Sequence, residues 1–400
     1  MTAPLRAIPP SPAQLASDRA YPHLVVFGAD LDALGLATTA VGLGIEVRGE
    51  TACVIAPPAA LGQLARELER RESVLALLLQ QYLEPRATWQ LRSRELALDR
   101  PLIMGIVNLT DDSFSGDGVG RDAASALRRA DELRAAGADI IDVGAETARA
   151  DRPSLDSGAE AELVRPLIAA LVREKHLVSI DTYKPQVARA ALFSGAEIVN
   201  DISGLTLGTG AADEAKRAGA GYVLNYSFSV PKRRPDAPPV YEDVVAETVE
   251  WMARRLWQLE SGGMERAHIA IDPGIAFGKS HAEDIATLRR LGELRTFGLP
   301  VLLAHSRKNF LGSISGRPPA ERDMETHIAS SFAYEQGARI FRVHDVAGAK
   351  RALELAYALL AEPLERFAPD DGSWPWRAGS SAAHMTKVEG DKRAPAGQKW

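Results

Sequence analysis

From about residue 101 onwards, hydrophobic and polar positions alternate regularly along the chain. Eight short apolar runs are each followed by an amphipathic stretch with helical periodicity. Parallel neighbours in a sheet need a crossover connection, so this order predicts a parallel sheet with intervening helices. The predicted strands lie at 102–108, 139–143, 177–181, 197–200, 221–225, 268–272, 300–305 and 339–344.

The number of these units favours one architecture. Eight strand–helix units in about 260 residues fit a closed (β/α)8 barrel, which typically uses about 250 residues. The alternative is a doubly wound open sheet, which often carries a G-x-G-x-x-G sequence at its first turn; that sequence is absent here. We therefore predict an α/β fold: a (β/α)8 TIM barrel with a small N-terminal α/β extension and a disordered C-terminal tail.

The pattern divides the chain into four segments. We expect a flexible arm at 1–21, a small α/β extension at 22–96, the barrel at 97–366 and a disordered tail at 367–400. Within the extension, a single long helical stretch is predicted at 57–81. The extension carries no chemical motif, which favours a packing or dimer-forming role.

Composition narrows the class of protein. Hydrophobic residues make up 46% of the chain and charged residues 25%, the ordinary mix of a globular protein. The 47 basic and 53 acidic residues leave a net charge of −6, which argues against nucleic acid as a partner. A single cysteine, Cys53, can form neither an internal disulfide nor a cysteine metal cluster. The chain contains no 18-residue apolar run and no apolar signal core, so we expect a cytoplasmic protein with no membrane partner.

Polar side chains end most of the predicted strands, and in a barrel of this kind those ends form the active-site mouth. Any one of them alone could be a helix cap. Together they offer hydrogen-bond acceptors from Asp181, Asn200 and Asp272, and donors from Lys308, Arg342 and His344. Acceptors suit a ring edge rich in N–H groups, whereas donors suit a phosphate. The residue types therefore predict an anionic, nitrogen-rich small molecule as ligand.

Seven motifs in order resemble the dihydropteroate synthase family, and they cover about two thirds of the chain. They are MGIVNLTDDSFS at 104–115, IDVGAETAR at 141–149, SIDTYKP at 179–185, IVNDISG at 198–204, IDPGIAFGK at 271–279, SRK at 306–308 and RVHDV at 342–346. The resemblance implies a transferase of folate biosynthesis. Such an enzyme condenses 6-hydroxymethyl-7,8-dihydropterin diphosphate with 4-aminobenzoate and releases pyrophosphate.

The same resemblance implies roles for individual residues. The pterin site is expected to comprise Asp181, Asn200, Asp272, Phe277, Lys308 and Arg342, with Arg342 packing over the ring. The diphosphate and acceptor loops are expected to comprise Asn108, Thr147, Arg149, Ser306 and His344. The residues expected to take part in catalysis are Asp181, Lys308, Arg342 and His344. Mg²⁺ is implied as the cofactor, with Asn108 as its protein ligand, and a homodimer is implied as the assembly.

The departures from the family pattern concentrate on the acceptor side. The family's second loop commonly reads GGESTRPG, whereas this chain has GAETARAD at 144–151; Asp111 replaces a proline in the first loop. Three alternatives therefore stay open: a pterin-binding paralogue with an altered acceptor or none, a pterin-dependent methyltransferase-like protein, and a non-enzymatic scaffold. The basic run at 232–234 is expected to be solvated, with substrate steering as its alternative.

Overall fold

The computed structural model describes residues 5–8, 23–27, 30–48, 51–109, 123–146, 152–229, 231–232 and 239–360. Within these ranges, no helix combines the length and the apolar character that crossing a bilayer would require. The predicted tail at 367–400 and the predicted arm at 1–21, apart from Leu5–Ile8, lie outside the described residues.

The N-terminal region is an antiparallel sheet with helices packed on it. Its strands run in the spatial order β1-β2-β4-β3. Leu34 and Leu64 from the helices meet Val54 from the sheet in a small apolar core. The strands are β1 (Leu5–Ile8), β2 (His23–Phe27), β3 (Glu46–Arg48) and β4 (Thr51–Ala56), and the helices are α1 (Leu31–Ala40), α2 (Pro58–Glu69) and α3 (Val74–Leu83).

Two expectations for this region need correction. Leu5–Ile8 was expected to belong to a loose arm, but it pairs with β2 as an edge strand. The single helical stretch predicted at 57–81 was wrong, because a turn at 70–73 separates α2 from α3. Glu72 adopts a left-handed φ of 55°, and the Ser73 hydroxyl then accepts the Leu75 N–H at 3.3 Å to begin α3. Serine is a favoured residue at this position because its oxygen satisfies an unpaired amide of the first turn.

A short hairpin, β5 (Thr88–Gln90) and β6 (Glu95–Ala97), packs against the N-terminal ends of the barrel strands and has no counterpart among the predicted elements. Its Trp89 is fully buried, and the indole N–H donates to the carbonyl of His268 at 2.9 Å. A Cβ on Gly221, at the start of a barrel strand, would lie only 3.0 Å from the Trp89 ring. Glycine at 221 therefore makes room for the indole that fills this end of the barrel.

The remaining strands form the predicted closed parallel barrel, with neighbours paired in chain order and the last strand paired to the first. Helices cover the outside, so the strands are buried on both faces and are almost continuously apolar. The strands are β7 (Leu102–Asn108), β8 (Ile140–Gly144), β9 (Val178–Asp181), β10 (Ile198–Asp201), β11 (Gly221–Asn225), β12 (Ile269–Asp272), β13 (Val301–Leu303) and β14 (Ala338–Val343).

The helices outside the barrel follow the predicted periodicity, with two differences. The amphipathic stretch that follows β12 is an α-helix followed by the 3-10 segment Leu291–Phe297 rather than one continuous helix, and the short helix at 309–315 is an addition to the regular alternation. The barrel helices are α4 (Ala123–Ala135), α5 (Ser157–Arg173), α6 (Pro185–Phe193), α7 (Gly210–Ala218), α8 (Val244–Ser261), α9 (His281–Arg289), α10 (Asn309–Ser315), α11 (Asp323–Glu335) and α12 (Val346–Leu360).

We expect Trp89→Ala to lower the free energy of unfolding by about 3–5 kcal/mol, because the substitution leaves a cavity where the indole joins the barrel interior. Urea denaturation of the full chain measures this change. Trp257→Ala is the matched control: this indole is 66% exposed, so its loss should change the unfolding free energy by no more than about 0.5 kcal/mol. Equal effects of the two substitutions would contradict the packing role of the hairpin.

Candidate functional site

An arginine at the end of β14 connects three strand ends at the mouth of the barrel. Arg342 donates from Nε to Asp142 at 2.6 Å and from Nη2 to Asp181 at 2.7 Å. Asn200, at the end of β10, donates from Nδ2 to the same Asp142 oxygen at 3.2 Å. The barrel closure therefore brings Asp181, Asn200 and Arg342 together, as the sequence predicted.

Asp142 is a site residue that sequence reasoning left out of the predicted set. It is fully buried, and its second oxygen, Oδ1, has no hydrogen-bond partner among the described residues. Its position two residues before the end of the second barrel strand was the available signal, because the other site carboxylates also lie in the C-terminal halves of barrel strands. An unsatisfied buried carboxylate oxygen is costly unless a ligand donates to it.

Burial controls the acidity of the carboxylates at this mouth. Desolvation raises the pKa of Asp181 above the ordinary aspartate range; the Arg342 charge opposes this shift, and the nearby Asp142 adds to it. Desolvation also raises the pKa of Asp272, against the opposing charge of Lys308. The site thus presents acceptors whose ionised forms depend on cations held beside them.

Asp272 and Lys308 lie on the opposite side of the mouth. Asp272 ends β12 and accepts the Gly274 N–H at 2.7 Å, and Lys308 donates from Nζ to the carbonyl of Ile275 at 2.6 Å. The Lys308 ammonium also lies 5.0 Å from the centre of the Phe277 ring. Burial lowers the pKa of Lys308 to about 8, although Asp272 and Asp284 favour its charged form. The structure therefore brings these three predicted residues together.

A second buried lysine, Lys279, supports the same loop and was not among the predicted site residues. Its Nζ donates to the carbonyl of Pro273 at 2.9 Å and to that of Gly274 at 3.3 Å, and lies 3.5 Å from the centre of the Tyr226 ring. Burial lowers the pKa of Lys279 to about 7. The IDPGIAFGK motif contained Lys279, but nothing in the sequence indicated that its side chain turns back under the loop.

Ser306 and His344 meet where β13 and β14 end. The Ser306 hydroxyl lies 2.8 Å from His344 Nδ1 and accepts the His344 backbone N–H at 3.3 Å. Between Ser306 and Lys308, Arg307 adopts a left-handed φ of 58°, which is uncommon for a residue with a side chain. Asp323 at the start of α11 holds its guanidinium through two hydrogen bonds of 2.7 and 2.8 Å. This turn directs the side chains of Ser306 and Lys308 to different parts of the site.

The residue that precedes Ser306, His305, is held by packing and hydrogen bonds inside the protein. It is fully buried, and its Nε2 lies 3.0 Å from the Thr326 carbonyl and 3.1 Å from the Ser330 hydroxyl. Burial lowers the pKa of His305 to about 4, so the ring is neutral at pH 7. It contacts α11 rather than the mouth.

The loops expected to bind the acceptor are only partly described. Thr147 and Arg149 lie outside the described residues. Asn108 ends β7 beside Gly144, where a Cβ would lie 3.3 Å from Asn108 Oδ1 and 3.5 Å from Asp181 Cβ. The glycine therefore leaves space around the amide oxygen. Among the described residues there is no group of three or more His, Cys, Asp or Glu side chains placed to hold a metal ion.

Comparison with known proteins agrees with this geometry. Residues 104–344 match the family model described as "Pterin binding enzyme". The dihydropteroate synthase of Escherichia coli strain K12 is 35% identical over 267 residues, which is 66% of this chain and 94% of that protein.

Solved structures are similar over the same region. Dihydropteroate synthase from Xanthomonas albilineans in complex with 7,8-dihydropteroate has a TM-score of 0.60 and 34% identity, covering 68% of this chain and 99% of that chain. Dihydropteroate synthase from Thermus thermophilus in complex with 4-aminobenzoate has a TM-score of 0.61 and 36% identity, with the same coverage. With its strand-end carboxylates, amide and cations gathered at one barrel mouth, the chain belongs to the dihydropteroate synthase family and is an enzyme of that transferase type.

Proposed function

We propose that this chain condenses 6-hydroxymethyl-7,8-dihydropterin diphosphate with 4-aminobenzoate and releases pyrophosphate. The observation that carries the proposal is the mouth itself, in which Arg342 joins Asp142 and Asp181 while Lys308 faces Asp272. Buried acceptors and cations gathered in one site suit a ligand with a ring rich in N–H donors and an anionic tail.

The pterin ring is held by the acceptor side. Its aminopyrimidinone edge offers N–H donors, and Asp272 and Asn200 are buried groups able to accept them. Asp142 Oδ1 is a further acceptor near Asn200, since it has no partner among the described residues. Phe277 and Arg342 provide flat groups for contact with the ring, the role that the family resemblance assigns to Arg342.

The diphosphate is held by the donor side. Ser306 and His344 form one hydrogen-bonded pair there, and Arg342 supplies a guanidinium. Mg²⁺ fits this arrangement, because it usually binds substrate phosphates and water with few protein oxygens, and Asn108 Oδ1 has space beside Gly144. When bound, the ion would offset negative charge on the leaving group.

The chemistry needs no nucleophile from the protein. The C–O bond between the pterin methylene and the diphosphate breaks, and pyrophosphate leaves with the electron pair. The amine nitrogen of 4-aminobenzoate then forms the C–N bond and loses a proton. The carboxylates of Asp181 and Asp272 stabilise the cationic methylene formed in between, so the protein contributes orientation and electrostatic stabilisation.

The choice of acceptor rests on fewer described residues than the choice of the pterin diphosphate does. Thr147 and Arg149 are the residues that the resemblance assigns to it, and Arg149 offers a positive charge to a carboxylate. The substitutions at 148, 150 and 151 leave a paralogue with another acceptor as the principal alternative. A methyltransferase-like role would not require the Ser306–His344 pair, which favours the diphosphate substrate.

We also propose that the chain is a homodimer that assembles through α11 and α12. Met324, Ile328 and Phe332 follow one another at helical spacing and are 68%, 63% and 42% exposed. Leu355 and Leu359 on the adjacent α12 are 61% and 73% exposed. A contiguous exposed apolar face of this kind is typical of an isologous interface between two copies of a chain.

A cytoplasmic location stays a prediction.

The reaction is tested by measuring pyrophosphate release with Mg²⁺ and the pterin diphosphate, with and without 4-aminobenzoate. We expect release to depend on 4-aminobenzoate. Asp272→Asn and Lys308→Ala should each lower kcat/KM for the pterin diphosphate by about 10- to 100-fold, the size of a lost hydrogen bond to a charged group. Tight pterin binding without acceptor-dependent release would favour the paralogue, and normal affinity in both variants would exclude the assigned pocket.

The activity should depend on pH through Lys308. Its lowered pKa of about 8 means that the ammonium loses its charge as the pH rises through that value, so kcat/KM for the pterin diphosphate should decrease above about pH 8. Lys308→Arg keeps its charge in this range and should move the basic limb to higher pH. A limb at the same pH in both proteins would show that another group is responsible.

The proposed interface predicts the effect of a charge on α11. We expect Ile328→Glu to convert a dimer to a monomer in sedimentation velocity, because two copies of the carboxylate would be buried against apolar side chains. Phe193→Glu is the control, since this side chain is 89% exposed on α6, away from the proposed face. A dimer that persists in Ile328→Glu but dissociates in Phe193→Glu would assign the interface elsewhere.

A further inference from the structure

Four charged side chains are buried together beside the residues that flank the segment 147–151. Glu146 follows β8, Glu160 lies in the first turn of α5, Lys184 precedes α6, and Lys232 follows β11. Each side chain is less than a tenth exposed. With two carboxylates and two ammonium groups, the cluster is formally neutral.

Lys184 is the centre of this cluster. Its Nζ lies 2.6 Å from Glu146 Oε2 and 2.5 Å from Glu160 Oε2. Burial would lower the pKa of Lys184, but the hydrogen bonds to the two carboxylates outweigh it and raise the pKa above the ordinary value. The charged form is therefore the one that the fold stabilises.

The same groups connect the two ends of the segment 147–151. Glu146 precedes that segment and accepts the Leu155 N–H at 2.7 Å, while Lys184 donates to the Leu155 carbonyl at 2.8 Å. The Tyr183 hydroxyl also donates to Glu146, at 2.7 Å. Residues 146 and 155 are thus held together by backbone and side-chain contacts.

Lys232 adds a contact from a different loop. Its Nζ donates to the carbonyls of Arg152 and Pro153 at 3.1 and 3.0 Å and lies 3.8 Å from Glu146 Oε1. Lys232 has a left-handed φ of 63°. The expectation of a solvated basic run was wrong for this residue, because the ammonium reaches carbonyls that the sequence could not place beside it.

We propose that Glu146, Lys184 and Lys232 are positioning residues that hold both ends of the second loop and thereby set the affinity for the aromatic amine acceptor. This inference rests on the proposed function, in which that loop carries Thr147 and Arg149. Fixing the residues on both sides of a binding segment limits the conformations open to that segment and so lowers the entropic cost of binding. The family's proline at 150 is alanine here, so no proline ring restricts the backbone at that position.

The charge of the cluster supports a role beyond stability. Buried ion pairs contribute little to folding compared with apolar packing of the same volume, because both ions lose their hydration. Charged side chains can select particular hydrogen-bond partners, which apolar side chains cannot do. Here Glu146, Lys184 and Lys232 each contact a particular backbone or side-chain partner around residues 146 and 152–155, and Glu160 holds Lys184.

The test is steady-state kinetics of Lys232→Met in the full chain, varying 4-aminobenzoate at saturating pterin diphosphate. We expect the KM for 4-aminobenzoate to rise about tenfold, while kcat and the Kd for the pterin diphosphate stay within about twofold. Lys232→Arg should restore much of the loss. Lys216→Met is the matched control, because Lys216 also donates to a backbone carbonyl, that of Gly262 at 2.7 Å, but at the distant end of α7.

A second variant avoids the loss of a buried charge. Tyr183→Phe removes only the hydroxyl that donates to Glu146, and it should raise the same KM by a smaller factor. An unchanged KM for 4-aminobenzoate in correctly folded Lys232→Met would overturn the proposal. Equal rises in the constants for both substrates would also overturn it, since they would indicate a general structural role.

Failure of the proposed function is distinguishable from failure of this inference. If the unmodified chain shows no acceptor-dependent pyrophosphate release, amide hydrogen exchange of residues 146–155 tests the contacts directly. Lys232→Met should then accelerate exchange in that segment by about tenfold and leave β12 unchanged. Unaltered exchange at 146–155 would reject the positioning role whatever the reaction is.

Discussion

The arrangement of the site depends on one buried interaction, the guanidinium of Arg342 placed between Asp142 and Asp181. These partners are separated from Arg342 by 200 and 161 residues along the chain, so only closure of the barrel brings them together. Without the guanidinium, the carboxyl of Asp181 would lose the positive charge that opposes the rise of its pKa on burial. Its presence keeps acceptors available for a ligand and fixes the relative positions of β8, β9 and β14.

The two sides of the mouth are built in different ways. The acceptor groups lie on short barrel strands, at the last residue or within two residues of it, so their positions follow from barrel geometry. The donor side relies on a turn in which Arg307 has a left-handed φ of 58°. Such strain costs about 1–3 kcal/mol and persists only where neighbours over-determine it, here through Asp323 and Thr326. The position of Lys308 is therefore linked to how α11 packs.

The strand ends around Arg342 and the cluster around Lys184 are built from different parts of the chain. The strand ends that surround Arg342 are rigid parts of the barrel, whereas the cluster around Lys184 joins segments that follow β8, β9 and β11. The substitutions at 148–151 therefore lie outside the strand ends that surround Arg342. This explains how a chain can retain the family's Asp, Asn, Lys and Arg positions and still depart from the pattern at 148–151.

The sequence by itself determined the barrel and most of the pocket. Apolar runs with polar ends predicted the eight strands, and Asp181, Asn200, Asp272 and Arg342 could be placed at the mouth because strand ends converge. Local pattern could not predict the break at Glu72, the hairpin carrying Trp89 or the helix at 309–315, since each depends on a turn or on packing partners distant in sequence. The pattern also gave no sign that Asp142 and Lys279 belong to the site, and it predicted a solvated side chain for Lys232, which is buried. Only the tertiary structure decided these positions, because a charged side chain becomes buried according to the partners that the fold brings to it, and those partners lie far away along the chain.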